Sequence, residues 1–341
     1  MLRYILFGLW LSVVYVGTTF AAEPSAPGPW KLGGSLGLNV TQSAYSDNWH
    51  GGETGSFSWV ALGSFSAERQ FTSTFNLTNK LAATFGQTAE QIEDPADPRR
   101  KKWDSPEESS DDIVFESVGR FTLDAALDPY VALRAETEFI DGSSSIGKIP
   151  FNPIEVKEGA GVARMIVKTD TSEVLTRLGF AFRQTFAQSF VDPATQEKQR
   201  FTATDGGIDW QTNVKHPVLK RRVLYVATLI VYKPLFYSGS DDLKEFDVLA
   251  DSAAAAQGTT HGPVADFWKQ AEVDLRSVFT TQVTKALSVN LVVQFVYDKF
   301  DESANVDPTL PFDVLNAEIN DNVRKAGQFK ETLGLGLSVK F

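Results

Sequence analysis

The chain has 341 residues, 43% of them hydrophobic, a formal net charge of -11 and no cysteine. The acidic balance excludes a nucleic-acid binder, because no surplus of Lys and Arg is available to neutralise phosphates. The lack of cysteine excludes a disulfide framework, a thiolate metal site and a thiol nucleophile. Aromatic residues are abundant (Phe 25, Trp 7, Tyr 8), yet mean hydropathy is only -0.15. That balance suits a membrane barrel whose apolar positions are diluted by a polar lumen and polar loops.

At the amino-terminus, Arg3 precedes an apolar run from Tyr4 to Val16 and then small residues up to Ala21 and Ala22. This reads as a signal peptide, residues 1–21, cut after Ala21 or Ala22. Its apolar core is shorter than the ~20 residues of a membrane-spanning helix. No later apolar run reaches that length either, the longest being Val223 to Tyr232. Residues 22–341 are then read as one domain.

That domain alternates with period two. The pattern predicts strands at 30–45, 56–67, 72–86, 113–127, 130–140 and 154–168. A further six follow around 178–186 and at 206–214, 223–236, 266–279, 287–297 and 329–341. In the last of these Leu333, Leu335, Leu337, Val339 and Phe341 share one face, opposite Thr332, Gly334, Gly336, Ser338 and Lys340. Long polar loops are expected at 46–55, 87–112, 142–150, 191–201, 237–264 and 300–328, with at most a short helical turn at 253–256. Short turns are expected near 68, 128, 170, 217 and 281. The alternation of short and long connections predicts an all-β fold: a single antiparallel transmembrane β-barrel of about twelve strands, with short periplasmic turns and long extracellular loops. A Greek-key sandwich gives no reason for it.

The first hairpin carries Trp30, Gly33, Gly34, Gly37, Asn39 and Gln42, then Asn48, Trp49, Gly51, Gly52 and Glu53. The chain ends on Phe329, Lys330 and Glu331, then Gly334, Gly336, Ser338, Lys340 and Phe341. Together these resemble a family of outer-membrane barrels common in the Bacteroidota and known only as a domain of unknown function, over residues 30–60 and 287–341. The resemblance implies fold and localisation. It brings no substrate or catalytic residue.

Three features bear on activity. Gly51 and Gly52 can adopt positive φ or admit a close backbone, and Trp49 suits a membrane interface, so the first loop reads as a hairpin cap with an interface anchor or as a contact for a ligand or partner. Arg134, Glu136, Glu138, Arg177, Arg183, Asp209, Lys215, Glu272, Asp274 and Arg276 lie opposite their strands' apolar faces and should point into the lumen. A basic residue facing lipid at mid-depth costs about 2–4 kcal/mol. Their mixed signs argue against strong ion selectivity, and they fit either a selective pore or a closed, salt-bridged plug. Thirdly, His50 and His261 fall in loops of one side, with Asp47 near the first, where an Asp-His pair could activate water. No nucleophile motif such as G-x-S-x-G accompanies them, and His216, before Pro217, reads as structural. The acidic run 107–112 matches no EF-hand spacing and reads as solvated charge.

The expectation is therefore an outer-membrane barrel, most simply a narrow passive channel or small-solute transporter. A structural or surface-interaction barrel with an occluded lumen is the alternative, and an outer-membrane hydrolase the less favoured third reading. No cofactor or metal is expected. The expected partners are outer-membrane lipid, a small solute, and the barrel-assembly machinery, which would read the closing strand at Leu335, Leu337, Val339 and Phe341.

Overall fold

The computed structural model describes residues 26–44, 54–123, 125–142, 144, 146–192, 194–284 and 287–340, with the backbone alone at 97–99 and 337–340. The signal-peptide region, the first-loop motif from Asn48 to Glu53, His50 and Phe341 lie outside the described residues.

Twelve antiparallel strands close into one barrel. They are β1 (Lys31–Ser43), β2 (Ser56–Thr72), β3 (Phe75–Asp94), β4 (Glu107–Phe121), β5 (Asp128–Thr137) and β6 (Ile154–Lys168), then β7 (Glu173–Asp192), β8 (Glu197–Val218), β9 (Val223–Tyr237), β10 (Glu272–Gln282), β11 (Leu287–Tyr297) and β12 (Gln328–Lys340). Each pairs with its neighbours in sequence, and β1 pairs with β12 to close the ring.

Closure satisfies most of the peptide groups without water and leaves side chains to divide by parity. Outward positions are apolar and open: Leu36 is 60% exposed, Val131 52% and Leu178 52%. Inward positions such as Asn39, Arg177 and Gln211 are buried. Two aromatic clusters bound the apolar band. Trp30, Phe71, Phe75 and Phe121 contact one another in series at the short-turn end, and Trp59, Phe85 and Phe139 do so near the other. Phe75 and Phe85 both lie on β3. At ~3.4 Å per residue and a tilt of ~40°, they stand roughly 25 Å apart along the barrel axis, the height of a hydrocarbon belt.

Several expected boundaries shift. β3 runs on to Asp94 and pairs with a short strand at Asp97–Trp103, so the basic run 99–102 belongs to a hairpin extension. The acidic run 107–112 is the start of β4. The expected loop at 191–201 is mostly strand, since Phe190 pairs with Lys198 and Asp192 with Glu197. The turn expected near 128 lies before β5, which begins at Asp128.

The largest correction concerns the loops. The segment 237–264 holds α1 (Ser240–Ala256), and 300–328 holds α2 (Phe312–Asn322). Leu243, Phe246 and Ala250 recur at three- and four-residue spacing on α1, as do Leu315 and Ile319 on α2, which gives each helix one apolar stripe. The stripes meet Val264, Trp268, Phe300, Ala304 and Val306 in a compact core, anchored to the barrel by Ala203 of β8 and Tyr237 of β9. The long-loop end is thus capped by a packed body. Phe246 is fully buried and stacks on Phe312 at 6.3 Å. Phe246→Ala should weaken docking of this cap by about 3–5 kcal/mol. Limited proteolysis would then cut the cap at Lys244 and Lys269 while the barrel keeps its heat-modifiable gel mobility.

Candidate functional site

Alternation aims charges from β3–β8, β10 and β12 into a bore that is filled in stages. Near the short-turn side, Arg177 of β7 pairs with Glu116 of β4 and lies over the Tyr130 ring at 5.4 Å. The sequence makes room for this packing with small inward residues. A Cβ on Gly179 would stand 2.7 Å from the Tyr130 hydroxyl, and one on Gly161 would meet the backbone of Leu178 at 2.2 Å.

Above this pair lies a cavity of about 390 Å³. One wall is charged: Lys80, Asp112, Arg134, Glu136, Asp274 and Arg276. Arg134 pairs with Glu136, and Arg276 faces Asp112 at 3.6 Å. The other wall carries Val60, Leu62 and Val292 among Asn39, Gln294 and Thr332. A smaller cavity of about 180 Å³ and a third of about 390 Å³ follow toward the long-loop end, and all three share Glu136.

Arg183 stands between the second and the third and lines both. Its Nε donates to Asp205 at 2.6 Å, and its two terminal nitrogens grip Glu272 as a fork at 2.8 and 2.9 Å. Nη2 also meets Glu302 at 2.8 Å, and Nη1 lies 3.6 Å from Glu155. The guanidinium sits over the Tyr232 ring at 4.8 Å, and Tyr232 donates its hydroxyl to Asp205. Planar, delocalised and weakly hydrated, guanidinium is the cation suited to such a site.

Glu302 is the member that does not belong to the barrel. It lies in the segment between β11 and α2 and is only 3% exposed. Neighbouring residues stitch this segment across the mouth: Asn305 donates to Ser189 and Gln199, and Gln199 donates to Asp307. The segment is therefore a strap, pinned to the bore by one ion pair and to β7 and β8 by amides. Burial, with Glu272, Asp298 and Asp205 nearby, raises the Glu302 carboxyl well above the ordinary range against the pull of Arg183. Burial, with Glu272 and Asp301, pushes Asp298 up to about 8, and burial, with Asp141 and Asp111, pushes Glu138 up to about 7.

Of the expected lumen residues, Arg134, Glu136, Asp274 and Arg276 line the central cavity, Glu272 and Arg183 the next, and Glu138 the uppermost. Arg177 and Asp209 pack below, with Lys157 at 3.9 Å from Asp209. Lys215 lies apart, exposed at the short-turn end of β8 opposite Glu173. Glu116, Glu155 and Asp205 were missed, though the same parity rule reaches them. Glu302 had no such signal.

His261 serves the cap. Its Nε2 meets Asp247 at 2.9 Å, and Asp247 also accepts the amides of Val264 and Ala265. Ser172 hydrogen-bonds His216 Nδ1 at 2.8 Å beside a short turn. Asp111 of the acidic run accepts the amides of Phe139 and Ile140, so this carboxylate organises a loop rather than facing bulk solvent. Among the described residues no cluster of three or more His, Cys, Asp or Glu has the geometry of a metal site.

A closed barrel with an apolar belt, aromatic clusters at its two rims and a charged bore defines the class: a twelve-stranded transmembrane β-barrel. No protein-family model matches the sequence, and no curated protein matches it. Among solved structures the chain is similar to an outer membrane channel from Pseudomonas putida F1, at 11% identity and a TM-score of 0.37, over 95% of this chain and 98% of that one. It is also similar to the translocator domain of the autotransporter NalP from Neisseria meningitidis, at 7% identity and a TM-score of 0.34, over 90% and 88%. The β domain of the Bordetella autotransporter BrkA is a third, at 10% identity and a TM-score of 0.29, over 93% and 98%. At these identities and scores the likeness says nothing about activity.

Proposed function

We propose that this chain is a channel for small solutes in the bacterial outer membrane, shut in the present structure by the strap between β11 and α2. The observation that carries the reading is the series of cavities meeting at Glu136 and ending beneath the Arg183–Glu302 pair. A barrel built only as a scaffold has no need of space along its axis, and small interior gaps are costly. The outer-membrane assignment draws on the apolar belt between aromatic clusters and on the short turns at one end, which would face the periplasm. Outer-membrane lipid then covers the belt, and the closing strand through Leu335, Leu337, Val339 and Phe341 would engage the barrel-assembly machinery.

Single-channel recording in a planar bilayer tests the proposal. Brief, reproducible conductance steps are expected, with long shut intervals while the strap is docked. Silence from protein proven folded by circular dichroism and heat-modifiable mobility would sink it. The function would then move to the cap, whose packed helices already favour a second reading as a surface for outside partners.

A further inference from the structure

The barrel does not close evenly. β11 and β12 pair from Leu287 opposite Leu337 to Val296 opposite Gln328, and β1 and β2 pair from Lys31 opposite Glu68 to Ser43 opposite Ser56. Between β1 and β12, however, pairing covers five positions, from Ser35 opposite Lys340 to Asn39 opposite Gly336. The same register would set Val40 against Leu335 and Gln42 against Leu333, but the described residues show no pairing there. Two strand edges are thus left facing each other at the long-loop rim of the apolar belt, where Val40 pairs with Trp59 on its other side. Leu333 and Leu335 beside the gap are 67% and 60% exposed on the outer face.

Unpaired peptide groups cost several kcal/mol in hydrocarbon and persist at membrane depth only where they border protein or a wet cavity. Here the inner side of the gap is the central cavity. Asn39 and Thr332 line that cavity from the two edge strands, and Val60, Leu62 and Val292 line it from the strands next to them. Beside the gap the lumen wall thus carries the apolar Val60, Leu62 and Val292 among the polar Asn39, Gln294 and Thr332. Cationic groups stand within reach. Lys80 and Lys330 line the same cavity, and among the described residues neither forms an ion pair. Lys330 Nζ instead donates to the Ser109 carbonyl and the Ser110 hydroxyl at 2.9 Å.

We infer that the β1–β12 gap is a lateral portal joining the lumen to the membrane leaflet on the long-loop side, for amphipathic monoanions with an aliphatic or aromatic body. The body crosses between the strand edges onto Val60, Leu62 and Val292, and the anionic head is received by Lys80 and Lys330. The inference rests on the channel reading and adds to it a substrate class and a direction of entry.

The chain has no native cysteine, so paired cysteines report the gap directly. Facing positions in a zipped antiparallel pair have Cβ atoms about 4.5–5.5 Å apart, within easy reach of oxidation. Leu291→Cys with Leu333→Cys, across the intact β11–β12 junction, should oxidise quickly. Val40→Cys with Leu335→Cys should oxidise much more slowly, and equal rates would overturn the portal.

Transport is read with 8-anilinonaphthalene-1-sulfonate loaded into the outer leaflet of vesicles and albumin trapped inside. Once the slow disulfide has formed, dye transfer should fall several-fold and recover on reduction, with ion conductance through the bore retained. Transfer that is unaffected by closure, in a protein that still conducts ions, overturns the portal and leaves the channel standing. A protein that conducts no ions fails the channel reading itself. In the unlinked barrel, Lys80→Ala with Lys330→Ala should cut dye transfer several-fold, and transfer equal to that of the parent overturns the anionic assignment.

Discussion

Arg183→Ala should open the bore: single-channel conductance rises several-fold, the shut intervals shorten, and the barrel loses stability at the same time. The guanidinium is the only cation within ion-pair distance of Glu302, Glu272 and Asp205 among the described residues, and it is itself almost fully buried. Removing one partner of a buried ion pair costs about 3–5 kcal/mol, because the orphaned charge stays behind in a medium that solvates it poorly. Two consequences follow from the geometry. The barrel-borne acids Asp205 and Glu272 cannot leave, so they stay behind as buried groups without their cation. Glu302 can leave, because its segment is not part of the sheet.

Glu302→Ala separates the two effects. It frees the strap but keeps Arg183 gripped by Asp205 and Glu272, so conductance should rise while the temperature of the heat-modifiable gel shift barely moves. Arg183→Lys should fall between, since an ammonium offers a point charge where the site is built for a planar fork. A bore whose conductance is the same with Arg183, alanine or lysine at this position would refute the strap as the gate.

Raising the pH should loosen the same latch. Asp298 and Glu138 hold their protons up to about 8 and about 7, and burial raises the Glu302 carboxyl in the same direction. Burial is the main cause in each case, with neighbouring carboxylates adding to it. Between the ordinary carboxyl range and these raised values, the docked strap binds more protons than the released one. Docking therefore weakens as pH rises through that window, and is firmest below it. Open probability should accordingly climb between about pH 6 and about pH 9, with its midpoint near the Asp298 and Glu138 values. Asp298→Asn should remove part of the transition, because the amide carries no charge at any of these pH values. A flat profile for the parent barrel would show that the strap is held by its amide contacts to β7 and β8 alone.

The barrel was legible in the sequence because its rule is local. A residue's face follows from its neighbour's, so Leu36 and Leu38 declare the outside and Gly37 and Asn39 the inside with no knowledge of what pairs with them. Strand existence and parity followed directly, and parity placed Arg134, Arg177, Arg183 and Glu272 on the inward face. Strand ends did not follow, because beyond the belt neither face need be apolar. The β7–β8 hairpin and the extension of β3 outgrow their hydrophobic pattern, held by ladder pairing that composition does not reveal. The two helices were obscured for a related reason: their stripes at Leu243, Phe246 and Ala250 and at Leu315 and Ile319 have the period of a helix within segments read as polar loop.

The all-β architecture, the count of strands, the apolar exterior and the charged interior all follow from alternation along single strands. Which charges meet depends instead on how the strands and loops come together in space. Arg183 and Glu302 are far apart in the chain, and nothing along it distinguishes Glu302 from the solvated acids around it. The same holds for the cap, which exists because two loops bury their apolar stripes against each other, and for the β1–β12 gap, which is a property of where two distant strands stop pairing. Contacts of this kind form only once the ring has closed and fixed the register of every strand, and register is a relation between segments that no single segment carries.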